Sequence, residues 1–269
     1  MPILQVPEPY QDMIALYGIT ALYSGGDLAL TPTGDIALND EGDLRMGSIA
    51  HDAMFRLVQS WRYNAPALQM MFGAVKELRS DQARFDVERE TIINQPLISG
   101  KLLPSSKVTA FHAATDGVVS SGVSRSAMAG AIVVVMASLL MRFRKALVDG
   151  ENDWKSSSPA FSGVSLGELI VAAANGFRHA DEWAAAHFGR QELTRQQKFS
   201  IDPLRQAGVI GPNSFVFDAS PIFETVLFMI AGDDFQKLAR SILGFANELA
   251  VKAKERERIA PEVSGTPQA

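Results

Sequence analysis

The sequence predicts a mainly α protein, a multi-helix bundle with a small N-terminal antiparallel β-meander or hairpin. Three observations predict it. A Gly-Asp-(Leu/Ile)-x-(Leu/Met) unit starts at Gly26, Gly34 and Gly42, with period-two apolar residues between turn residues. Almost everything after Ser48 carries apolar residues at helical spacing. Finally, 47% hydrophobic and 20% charged residues over 269 positions are enough to offset chain entropy in one large core.

In the repeat, Leu28, Leu30, Ile36, Leu38, Leu44 and Met46 alternate with Ala or Arg. Each Gly-Asp pair supplies a turn, because glycine takes positive φ and Asp bonds nearby amides. One Asp every eight residues does not gather the six to eight oxygens calcium needs. From Ser48 to Tyr63 a helix places Ile49, Ala53, Leu57 and Ser60 on one face. Asn64-Ala65-Pro66 predicts a break and restart, followed by helices over Ala67–Leu78 and Asp81–Ile93. Asn94–Arg125 mixes Gly, Pro and Ser without a clear period, so it predicts irregular chain with a short helix near Val108–Ala114.

A helix from Ser126 to Val148 is apolar all round in its middle, as a central core element is. Its apolar run, Ala127–Met141, is shorter than the roughly 20 residues that span a bilayer, so no membrane is expected. Gly150–Val164 reads as a polar loop. Ser165-Leu166-Gly167-Glu168 is a capping box and opens a helix to about His187, stopped by Gly189. Asp202-Pro203 starts a short helix ended by Gly208, and Val209–Asp218 is a loop. Ser220-Pro221 opens a helix ending near Gly232, and Asp233-x-x-Gln236 caps the last helix, Asp234 to Arg258. The tail from Ala260 is expected to be disordered. The implied domains are 1–95, the meander plus helices packed on the bundle, and 96–258, the bundle, with 259–269 as tail.

Zero cysteines exclude disulfides, thiolate nucleophiles and Cys-type metal sites, and fit a cytoplasmic protein. MPILQVPEPY has no basic segment and two prolines, unlike a signal peptide. A net charge of -5 gives no global field for nucleic acid. The four histidines, His51, His112, His179 and His187, form no metal spacing, and no phosphate loop or nucleophile elbow occurs. No cofactor and no metal are expected.

Asn175, Arg178, His179 and Glu182 fall at i, i+3, i+4 and i+7, one stripe of the Ser165 helix beside an apolar face. An imidazole could serve as base or acid on a ribose hydroxyl, and a guanidinium could stabilise a phosphorane-like transition state. The residues themselves favour reading the same stripe as a satisfied polar network that fixes helix register. Arg190, Arg195, Lys198 and Arg205 follow as a basic series, either solvated or in contact with an RNA backbone.

The pattern A-N-x-F-R-H-x-x-E-W, after a long apolar helix, resembles bacterial proteins with a HEPN-like helical domain, over about Ser126–Arg258. The resemblance implies a metal-independent endoribonuclease or RNA-binding protein of toxin–antitoxin or antiviral defence systems, working as a homodimer. Arg178 and His179 would be the reactive pair, Asn175 and Glu182 would position them, and Arg195 and Lys198 would touch phosphate. The family spaces Arg and His by four to six residues. Here they are adjacent, and Trp183 and Ala184 stand where that His belongs, which fits an inactive relative or antitoxin partner. The Gly-Asp-Leu-Ala-Leu repeat resembles short meanders of phage baseplate wedge proteins and implies a non-enzymatic assembly role.

Overall fold

A computed structural model describes residues 8–39, 41–94, 104–147, 151–183, 192–211 and 219–263. The fold is mainly α with a small antiparallel hairpin. The helices are α1 (Tyr10–Tyr17), α2 (Ile49–Ile93), α3 (Ser105–Ala146), α4 (Glu151–Ser156), α5 (Leu166–Arg178), α6 (Arg195–Gln206), α7 (Ala219–Ala231) and α8 (Phe235–Val263). β1 (Ala160–Phe161) pairs with β2 (Val164–Ser165) inside what the sequence reads as a polar loop. One apolar core runs through the chain from Met13 to Ala253.

The frame is a pair of very long helices. α2 has 45 residues and α3 has 42, about 67 and 63 Å at 1.5 Å per residue. The break expected at Asn64–Pro66 is absent, and Pro66 lies inside α2. An interior proline costs about 3 kcal/mol. Trp61, Leu68 and Phe72, all buried around it, contribute roughly 1.5–3 kcal/mol each and outweigh that cost. Asn64 Nδ2 also donates to Ser60 O at 2.8 Å.

The irregular stretch expected over Asn94–Arg125 is helical from Ser105 on; residues 95–103 lie outside the described ones. Its small residues are packing devices rather than breakers. Phe85 of α2 lies over Gly117, where an added Cβ would stand 2.7 Å from the ring. Ala114, Ser121 and Gly122 are buried in the same seam. The Thr109, Thr115 and Ser121 hydroxyls donate to their own helix's carbonyls at 2.7–3.0 Å. α3 is long and apolar enough to cross a membrane by length and composition, but Ile132, Val133, Met136, Leu140 and Phe143 of that stretch sit in the core.

The N-terminal repeat does not form a ladder of strands. Its bridges are Leu28 with Met46, Leu30 with Ile36, and Leu38 with Leu44. The amides of Ala29, Ala37 and Arg45 donate to the carbonyls of Arg45, Ala29 and Ala37 at 2.8–3.0 Å. A second ring runs from the amides of Thr31, Asn39 and Gly47 to the carbonyls of Asp35, Asp43 and Asp27. Each segment thus pairs with both others, and the repeat closes into a pseudo-threefold module. Gly34 and Gly42 take φ of 88° and 81° at its turns.

The Ser165 capping box is present, with Glu168 N donating to Ser165 Oγ and Ser165 N to Glu168 Oε2, both at 3.2 Å. α5 stops at Arg178, with His179 as its cap, before a further helical stretch over 180–183. The expected end at His187–Gly189, and Arg190, lie outside the described residues. Asp202-Pro203 opens no helix. α6 starts at Arg195 behind its N-cap Thr194, which forms a capping box with Gln197, and it carries Pro203 inside. α7 ends before Gly232 as expected. α8 runs on to Val263 through the expected tail; residues 264–269 lie outside the described ones.

Candidate functional site

α5 ends within the four stripe residues, and their side chains meet different partners. Asn175 Nδ2 donates to Ser200 Oγ of α6 at 3.1 Å. Arg178 Nη2 donates to Ser138 Oγ of α3 at 3.3 Å. His179 Nδ1 lies 3.1 Å from Glu182 Oε1. His179 takes φ −117° and ψ 20°, outside the helical region, while its amide donates to Asn175 O and its carbonyl accepts from Trp183 N, both at 3.0 Å. Arg178 and Glu182 are exposed, and His179 is half-exposed. Arg195 and Lys198 are exposed near the start of α6, beside Phe199, which is 71% accessible. Each stripe residue therefore has a partner, yet the Arg178–His179–Glu182 end remains open to solvent.

A second polar constellation, absent from the sequence reading, lies where the threefold module meets the bundle. Asp52, near the start of α2, is 4% exposed. Its carboxylate accepts from Met46 N at 2.9 Å, Asn39 Nδ2 at 3.2 Å and Arg56 Nε at 2.8 Å. Arg56 also pairs with Asp43 at 2.7 Å. Arg142, near the end of α3, pairs with Glu41 and holds that carboxyl below its ordinary range. These contacts frame a cleft of about 270 Å³ between the module, α2 and α3. Its floor is apolar (Leu38, Ile49, Ala53, Leu57, Leu139, Phe143), and Arg45 and Lys145 join Arg56 and Arg142 at its walls. The Asp52–Arg56 spacing of four was legible in the sequence, whereas Arg142 and Glu41 are 101 residues apart and gave no local signal.

A third charged group pins α7. Glu224 is 7% exposed and sits 2.7 Å from Arg125 and 3.5 Å from Arg79. Burial pushes its carboxyl above the ordinary value, against the opposing pull of the two guanidinium groups. Among the described residues no group of three or more His, Asp or Glu could hold a metal ion.

Comparison with protein-family models, with curated proteins and with solved structures finds no match to this chain.

Proposed function

We propose that this chain is a non-enzymatic assembly protein, a rigid helical body that presents apolar surfaces to a protein partner. One observation carries the reading. Among the described residues, ten of the eighteen large apolar side chains that face solvent fall on two parts of the fold. Leu28, Leu30, Ile36, Leu38 and Leu44 are about half exposed or more on the threefold module, and Val87, Ile93, Val108, Val119 and Val123 are exposed along the outer α2–α3 pair. The module is also acidic: Asp27, Asp35, Asp40, Glu41 and Asp43 stand against the single Arg45 between Gly26 and Gly47. Like charge disfavours a second copy of the module or an anionic surface there, and suits a basic partner.

The test is to isolate the tagged protein from its own cells, as wild type and as the Leu28→Ser, Leu30→Ser, Ile36→Ser triple variant. Native mass spectrometry should find one recurrent stoichiometric complex with the wild type and the bare chain with the variant. Identical profiles would remove the reading.

RNA binding is the second reading. The solvent-open Arg178, the His179–Glu182 pair and the exposed Arg195, Lys198 and Phe199 favour it, since cations track phosphates and an aromatic ring stacks on bases. The HEPN-like resemblance would make the working unit a homodimer that cleaves RNA. Purified wild type and the Arg178→Ala and His179→Ala variants, incubated with RNA, separate the two readings. Cleavage lost in both variants would favour the nuclease; no cleavage by any of the three removes the nuclease form of this reading.

A further inference from the structure

We propose that the cleft between the threefold module, α2 and α3 is a binding site for a small amphipathic anion, with a carboxylate or phosphate head and a short apolar tail. This stands apart from the assembly reading, because it rests on the cations and the α2–α3 floor of the cleft; of the module's exposed leucines only Leu38 borders it.

The head group follows from the charges. Arg45, Arg56, Arg142 and Lys145 line the cleft against two carboxylates, Glu41 and Asp52. Asp52 shares Arg56 with Asp43, and Glu41 takes Arg142. Among the described residues Arg45 and Lys145 make no close ion pair, and Lys145 adds only a longer-range pull on Glu41. Arg45 Nε is buried without a hydrogen-bond acceptor, so the outer nitrogens of this guanidinium are the ones that would meet an anion in the cleft. Its backbone is fixed by the inner amide ring of the module, its amide donating to Ala37 O and its carbonyl accepting from Ala29 N. The guanidinium is therefore carried on a held backbone rather than a free loop.

The tail follows from the floor. Ile49, Ala53, Leu57, Leu139 and Phe143 give an apolar surface, and about 270 Å³ lies just below the size range of sites for drug-sized ligands. A cation at the wall with an apolar base recognises an anion that carries hydrocarbon, and discriminates against an amine of the same length.

Titration calorimetry with octanoate, octyl phosphate, octanol and octylamine, each below its micelle concentration, tests this. Octanoate or octyl phosphate should bind at one site, and octylamine should not. Arg45→Gln should weaken the anion by about tenfold, the loss of one charge-assisted hydrogen bond. Ala146→Trp, at the exposed mouth of the cleft, should abolish binding. Thermal melts of the unliganded variants establish that both remain folded. Equal binding of octylamine, unchanged affinity in Arg45→Gln, or no binding of either anion would overturn the proposal. If octyl phosphate alone binds, the head group is a phosphate; if both anions bind, it is the shared negative charge.

Discussion

The ring of Phe177 in α5 occupies the space where a side chain on Gly130 of α3 would stand. Gly130 is buried, so the two helices approach at this point only because one position lacks a Cβ. Phe177 also meets Phe223 of α7 edge to face, with centroids 5.2 Å apart. The contact thus joins three helices beside the end of α5, where Arg178 and His179 follow.

Gly130→Ala should therefore destabilise the fold by about 2 kcal/mol through overpacking, although alanine favours an isolated helix by roughly 1 kcal/mol. Urea unfolding measures the net. Combining it with Phe177→Leu should recover part of the loss, as coupled neighbours do. If Gly130→Ala stabilises the protein, the close approach is wrong.

Asp52→Ala removes the acceptor for Met46 N, Asn39 and Arg56 together. We expect a loss of about 2 kcal/mol, concentrated in the threefold module. In hydrogen exchange the amides of Ala29, Ala37 and Arg45 should lose protection ahead of the core of α3. Uniform protection in both places would show that the module does not depend on Asp52.

Glu224→Ala leaves Arg125, whose side chain is 11% exposed, without its partner. Removing one member of a buried pair costs about 3 kcal/mol. Glu224→Gln keeps an acceptor and should cost less. Denaturation midpoints of the two variants give the ordering, and an equal cost would argue that volume rather than charge matters here.

His51 gives a pH dependence. Burial, and then the nearby Lys254 ammonium, hold its imidazole below the ordinary 6.5. Folding thus disfavours the proton, and the unfolded chain binds it first as pH falls. The stability associated with a neutral His51 is complete above the unfolded value and declines from about 6.5 downward until the folded value is reached. Thermal melts between about pH 8 and about pH 5 should show that decline. His51→Gln should flatten this part of the slope, and an unchanged slope would place the titration elsewhere.

Local chemistry was the legible part. The Ser165–Glu168 capping box formed because its partners are three residues apart, and the turns at Gly34 and Gly42 formed because glycine tolerates positive φ. The functional stripe was less legible. A helical wheel assumes that the helix continues, and α5 does not continue through His179.

Taken by itself, the sequence determined the helical class, the caps and the eightfold-spaced turns, all set by neighbours a few residues away. Only the tertiary structure decided that α2 passes through Pro66, that α3 begins at Ser105, and that three repeats close on one another. The first two depend on burial of Trp61 and Phe72 and on Phe85 finding Gly117, and the third on amide–carbonyl bonds between the repeats. Long-range packing supplies several kcal/mol at each such place, and local preference, worth about 1–3 kcal/mol, yields to it.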